Sequence, residues 1–319
     1  MNISSPMNNT NEEFDRYYAD EIKPGLVRAN QRRKNRMRVV IGLAAVGAIG
    51  FCAIAALASL GLANHPGALA AFVVGFGGLL GAGLLYRGLT NEYKRVLTGG
   101  VCSYLGFDYK LGGFDFPLAR FHPLLPRFTG AKLEDRISGR VGDVNFELCE
   151  GKLSRKDAKW RSIMLAYSFS KPFTGKTCVV ADTDWIGNAI ERLRQTGEKV
   201  RLENPEFEER FEVFSTDQLE ARYLLTPRFM KQILELTQHF NNKRGVALAF
   251  QESQLLITIR IGSMARRFEI GNVFGEVRDG KERAYKILAE LNLVADIVSI
   301  LGLAGSRPAK TVQGKSVDS

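Results

Sequence analysis

The hydrophobic rhythm of the chain changes three times. Near the N-terminus Phe14, Tyr17, Tyr18 and Ile22 recur at helical spacing, which predicts an amphipathic helix ending near Pro24 and Gly25. From Val39 to Tyr86 periodicity gives way to 48 consecutive residues without Asp, Glu, Lys or Arg. Residues 39–63 form one uncharged run of 25, and residues 67–86 a second of 20, separated by Asn64, His65 and Pro66. As helices they rise about 37 and 30 Å, enough to cross a hydrocarbon layer of about 30 Å. A buried soluble helix pair would show a polar side every three or four positions, and neither run does. The pattern predicts a two-helix transmembrane hairpin.

Beyond the second run the helix is expected to continue through Thr90 to Leu105, with Gly99 and Gly100 weakening it. Residues 106–130 contain four Gly together with Pro117, Pro123 and Pro126, which predicts an extended connector without regular structure. From Lys132 the period becomes two. Strands are expected at Ile137–Glu150, broken by a Gly142–Asp143 turn, and at Ser162–Phe169, Lys176–Ala181, Lys199–Glu203, Phe211–Ser215, Val246–Gln251 and Leu255–Ile261. Ser215 or Asp217 should cap a short helix through Leu224, and Thr226 followed by Pro227 should open another to about Asn241. A final helix from Lys281 to about Leu301 carries Tyr285, Leu288, Leu291, Val294, Ile297 and Leu301 on one stripe. The expected fold class is therefore α+β: the hairpin at 39–86, preceded by a cytosolic arm at 1–38, then a cytosolic domain at 87–305 with a mainly antiparallel sheet, and a disordered tail at 306–319.

Composition alone would suit a soluble protein, since 45% of the 319 residues are hydrophobic and 24% are charged. The clustering of the uncharged residues overrides that average. Four cysteines, without a C-x-x-C, exclude a disulfide scaffold and fit a reducing compartment, while His65, His122 and His239 are scattered, so no metal site and no cofactor is expected. The net charge of +10 is also clustered: Arg28, Arg32, Arg33, Lys34, Arg36 and Arg38 crowd the entrance to the first span, Arg87, Lys94 and Arg95 follow the second, and the turn between has no Lys or Arg. That asymmetry predicts that both termini and the main domain face the cytoplasm. A cleaved signal peptide would have a shorter apolar region beside the N-terminus. The juxtamembrane cluster invites anionic lipid headgroups of the surrounding bilayer. No basic stretch is interleaved with stacking aromatics, so nucleic acid is not an expected partner.

Small residues dominate the spans. Gly77 and Gly81 make a G-x-x-x-G, Gly78 and Ala82 repeat it one residue on, and Ala44, Ala48, Ala55 and Ser59 answer from the first span. Packing between the two spans is the preferred use, and dimerisation through Gly77 the alternative. Neither span holds an ionisable residue, which argues against a channel or transporter.

Candidate chemistry is sparse. Phe173–Thr177, FTGKT, has the end of a phosphate-binding loop, but Ser170 stands where that loop needs Gly. In VVADTDW, Asp182 and Asp184 resemble the D-x-D of aspartate-nucleophile phosphatases, one carboxylate attacking phosphorus, the other serving as acid and Mg²⁺ offsetting their charge. The Thr expected two residues past the second Asp is Ile186 here, and strand-end Asp pairs commonly cap turns.

The run FEERFEVFSTDQLEARYLLTP, with SFSKPFTGKTCVVAD, ITIRIGSMARRFEI and the arm FDRYYADEIKPGL, resembles a bacterial two-span membrane protein family catalogued as a domain of unknown function (family 3137). The resemblance implies the same architecture from about Phe14 to Leu301 and no activity. Within it, Glu220 and Arg222 have no evident core role; a buried ion pair and a binding contact both remain open. With no nucleophile, base and orienting residue set out together, the preferred expectation is a non-enzymatic, membrane-anchored interaction module that binds an unknown protein partner or a lipid headgroup. The alternative is a Mg-dependent phosphate-ester hydrolase using Asp182 and Asp184.

Overall fold

The computed structural model describes residues 6–62, 64–156, 158–181, 197–239, 245–261 and 280–300. Asp182, Asp184, Leu301 and the tail at 306–319 lie outside them. The chain divides into two compact units, Met1–Tyr104 with Phe268–Ile287, and Leu105–Arg267 with Leu288–Ser319.

The first unit is helical. Helix α1 (Pro6–Tyr17) passes through a π-helical turn (Tyr18–Ile22) into α2 (Lys23–Ser59). The expected stop at Pro24 does not occur. The Lys23 N–H reaches back five residues to the Tyr18 carbonyl, and Pro24 then falls in the opening turn of α2, where a helix needs no N–H donor. Helix α2 ends at Ser59 rather than Ala63 because Gly61 takes φ +73°, and the Leu62 N–H closes onto the Leu57 carbonyl at 2.9 Å. Helix α3 (Pro66–Leu105) runs unbroken through Gly99 and Gly100. A Cβ on Gly100 would meet Ile22 Cγ1 at 2.8 Å, so this glycine lets α3 and the π-turn approach.

The parts of α2 and α3 from Val39 to Ser59 and from Pro66 to Tyr86 rise about 31 Å each at about 1.5 Å per residue, and both helices are long and apolar enough to cross a membrane. They touch along a glycine seam. A Cβ on Gly50 would lie 2.6 Å from Gly75 Cα, and one on Gly78 2.7 Å from the Leu43 carbonyl oxygen. Gly78 and Ala82 are buried in this seam, whereas Gly77 has open space around it. Large side chains point outward, with Ile49 69% and Leu69 68% exposed. At the other end of the unit, Phe14 packs edge-on against Tyr104 and Tyr285, and Asp15 accepts hydrogen bonds from the Tyr285 hydroxyl at 2.6 Å and Lys281 Nζ at 2.9 Å.

The second unit is built on one antiparallel sheet of nine strands: β1 (Asp108–Leu111), β2 (Gly130–Val141), β3 (Val144–Arg155), β4 (Ala158–Ser168), β5 (Thr177–Ala181), β6 (Glu198–Lys199), β7 (Phe211–Ser215), β8 (Val246–Gln251) and β9 (Gln254–Ile261). Their order is β1-β2-β3-β4-β9-β8-β5-β7-β6, so the β8–β9 hairpin sits between β4 and β5. The expected Gly142–Asp143 turn closes the β2–β3 hairpin, with Gly142 at φ +58°. Two regular elements occupy the stretch expected as a bare connector. Strand β1 pairs with β2, and a 3-10 turn (Leu118–Leu124) bends around Pro123 so that Phe121, Leu124 and Leu125 are fully buried. Tertiary burial overrides the Gly and Pro content there. Strand β6 overlaps the strand expected at Lys199–Glu203 at Lys199 alone; a short helix α4 (Pro205–Arg210), capped by Asn204, follows.

A buried row crosses seven strands in register: Ile137, Leu148, Leu165, Ile257, Leu248, Val179 and Val213. Strand residues alternate between faces, so Phe116, Phe121, Leu124 and Leu125 pack with the opposite set that includes Cys149, Met164 and Leu256. Three more helices complete the described structure: α5 (Gln218–Leu224), α6 (Pro227–His239) and α7 (Gly280–Ile300), all near their expected bounds. Within the second unit, Tyr167 donates its hydroxyl to the Val294 carbonyl on α7 at 2.9 Å. Complete burial pushes that phenol well above its ordinary pKa.

Candidate functional site

The segment from Phe211 to Pro227 folds as strand, cap, helix and second helix start. Asp217 is the cap that opens α5, its Oδ1 accepting from the Glu220 N–H at 3.0 Å. Thr226 does the same for α6 through the Phe229 N–H at 3.3 Å. The FTGKT segment folds against this one. Glu220 accepts the Thr174 N–H on Oε1 and the Gly175 N–H on Oε2, both at 2.7 Å. Thr174 Oγ1 donates to Asp217 Oδ2 at 2.9 Å, and the Lys176 N–H donates to Thr216 Oγ1 at 2.9 Å. The two hydrogen bonds to Asp217 hold its carboxyl below the usual range, the Glu220 N–H contributing most.

This geometry explains the glycine without a phosphate. A Cβ on Gly175 would sit 2.7 Å from the Asp217 Cβ, so only glycine lets the loop close on the cap. The backbone N–H groups that a phosphate would need are held by a carboxylate of the same chain. Glu220 therefore clamps this loop. Arg222 is exposed and has no ion-pair partner among the described residues. The hydrogen bonds thus bring Glu220 to the loop and leave Arg222 to solvent. The Asp182 and Asp184 pair falls outside the described residues.

Sequence reasoning passed over two neighbours. Leu219 and Tyr223, 82% and 79% exposed, are the only exposed large hydrophobic side chains among the described residues of the second unit. Their spacing of four against the buried pair Ala221 and Leu224 places them on the outer face of α5, a signal already present in the helical period. A buried charge network was also missed. Arg161, 3% exposed, donates to Glu150 Oε1 at 2.8 Å and Glu134 Oε2 at 2.5 Å; Lys152 reaches Glu134 at 2.8 Å; and Tyr109 donates to Asp135 at 2.6 Å. Glu134 enters it through a β-bulge between Leu133 and Asp135. Nearby Arg136 pairs with Glu147. The ionic groups tie β2, β3 and β4 into one register, because a slip by one residue would strand the charges.

The six basic residues before the first span lie along α2, and Arg32 pairs with Glu92 of α3 at 2.8 Å. Arg28, Lys34, Arg36 and Arg38 are exposed, while Arg33 is half-buried. Cys149 and Cys178 are buried, and desolvation pushes both thiols up, Cys178 to about 11, which makes them poor nucleophiles. An open cleft of about 440 Å³ is lined by Asp115, Arg120, Asn145, Glu147, Ser168 and Gln254. It contains neither a histidine nor a cysteine. Among the described residues no three His, Cys, Asp or Glu side chains group as metal ligands would.

Residues 159–303 match the family described as "Protein of unknown function (DUF3137)". The match covers somewhat less than half of the chain. It begins inside β4 and takes in the loop clamp and α5, so the clamp belongs to the matched portion of the chain. No curated protein matches the chain. Among solved structures, the mycobacterial trehalose monomycolate transport factor A, TtfA, is similar at 9% sequence identity and a TM-score of 0.32, covering 67% of this chain and 97% of that one. A likeness at that level leaves the function open.

Proposed function

We propose that the chain is a membrane-anchored interaction module, held by a two-span hairpin in a bacterial inner membrane, whose cytoplasmic α+β domain binds a protein partner or a lipid headgroup. The observation that carries this reading is the inverted build of the hairpin: glycines in the seam and large aliphatic side chains outward, which suits a hydrocarbon solvent and would be costly in water. The basic residues from Arg28 to Arg38, with Arg87, Lys94 and Arg95 after the second span and none in the turn, support a cytoplasmic placement of both ends. The buried thiols and the carboxylates engaged by loop and strand favour binding over catalysis.

The test is topological and enzymatic. A reporter fused after Ser319 should be active only when it functions in the cytoplasm, and the full chain should resist carbonate extraction from membranes. A periplasmic C-terminus, or release by carbonate, would overturn the anchoring. Hydrolysis of phosphate esters by purified protein, abolished in Asp182→Asn, would replace the binding reading with the hydrolase one.

A further inference from the structure

The outer face of α5 carries Leu219, Arg222 and Tyr223 at spacings of three and four, and the exposed run Thr226, Pro227 and Arg228 extends it into α6. These two large apolar side chains are about four-fifths exposed, while the other large apolar groups among the described residues of this unit are at least partly covered, so the pair offers a partner surface. Charge narrows its chemistry. Arg222 and Arg228 have no ion pair or hydrogen bond among the described residues. The acids beside them on α5 and α6 are already engaged: Glu220 by the Thr174 and Gly175 N–H groups, Asp217 by its cap and Thr174, and Glu235 by Lys231 at 3.8 Å. What remains facing outward is leucine, tyrosine and two guanidinium groups.

We infer that this face of α5 seats on an anionic lipid surface, with Leu219 and Tyr223 entering the interfacial layer and Arg222 and Arg228 pairing with phosphate-bearing headgroups. The inference rests on the anchored reading above and deepens it by naming the surface and the ligand class. Tyrosine beside an aliphatic residue, flanked by arginine, is the composition that partitions into a headgroup region. One short helix face is too small for a stable protein interface, which covers about 800 Å² on each partner. It is sufficient for a second contact to a bilayer that already holds the same chain, because tethering raises the effective concentration of that surface.

The experiment uses the full chain in vesicles of phosphatidylcholine with or without phosphatidylglycerol, with Tyr223 replaced by the photocrosslinker p-benzoylphenylalanine. Irradiation should give a phospholipid adduct whose yield falls about tenfold when phosphatidylglycerol is omitted, or when Arg222→Glu and Arg228→Glu are combined, as expected for two basic groups near a charged surface. Equal yields with and without anionic lipid, absence of a lipid adduct, or a crosslink to a second copy would each overturn the inference. The same photocrosslinker at Ile49, an outward position of the first span, separates the two readings. Lipid labelling at Ile49 without labelling at position 223 removes this inference alone, whereas no labelling at Ile49 removes the anchoring beneath it.

Discussion

The hairpin and the sheet draw on similar apolar residues and arrange them in opposite senses. In the sheet, the large side chains of the row from Ile137 to Val213 are hidden and the chain's exposed positions are mostly polar. In the hairpin, Gly47, Gly50, Gly75 and Gly78 are hidden and Ile49, Leu69 and Val73 stand outside. On the membrane-anchored reading proposed above, the difference follows from the surrounding medium. Water expels large apolar groups into a core, so the sheet gains from every methylene it covers. Lipid has no such preference, so helices gain from close backbone approach and dispersion contact, which glycine permits. The same distinction predicts where substitutions are felt.

The largest contrast lies within α2 and α3. Gly50→Leu forces side-chain atoms into the position of Gly75 and should separate the spans, read as loss of the cooperative melt in detergent, while Gly77→Leu has space and should leave the melt unchanged. Equal damage from both would break the comparison. In the sheet, Arg161→Leu strands Glu150 and Glu134 without their shared cation and should cost about 3–5 kcal/mol in urea unfolding of the solubilised protein. Asp217→Ala removes the cap of α5 and a Thr174 contact, and should cost about 1 kcal/mol, with faster exchange of the Thr174 and Gly175 amides as the loop clamp loosens. The smallest effect is acidic. The Tyr285 hydroxyl, followed by Lys281, depresses the Asp15 pKa below its ordinary 3.8, so this contact stabilises fully above that value and is lost as pH falls through the depressed one. Asp15→Asn should remove that step from the acid melting profile and lower the neutral melting temperature slightly, to the level the unchanged protein reaches only below the step.

Much of the fold was legible because it depends on local rules. The hairpin follows from a charge-free run, β7 and β8 from period two, and the starts of α5 and α6 from Asp217 and from Thr226 with Pro227. What escaped depends on partners distant in sequence. Strand β1 is specified by the edge of β2, and the strand order by the insertion of β8–β9, neither of which has a local marker. Continuation through Pro24 requires a π-turn whose wider hydrogen bond no residue pattern announces. The roles of Glu220 and Gly175 become visible only when two segments 45 residues apart meet at hydrogen-bonding distance.

The placement of the β8–β9 hairpin also orders events in time. While the polypeptide is being synthesised, β4 and β5 can pair early with β3 and β7, but each keeps one open hydrogen-bonding edge, and the strands that close those edges, β9 and β8, emerge only after α6. Until residues 246–261 leave the ribosome, the nascent sheet exists as two unjoined halves, each able to recruit a foreign strand. Chaperone demand and vulnerability to premature termination should therefore concentrate in that interval.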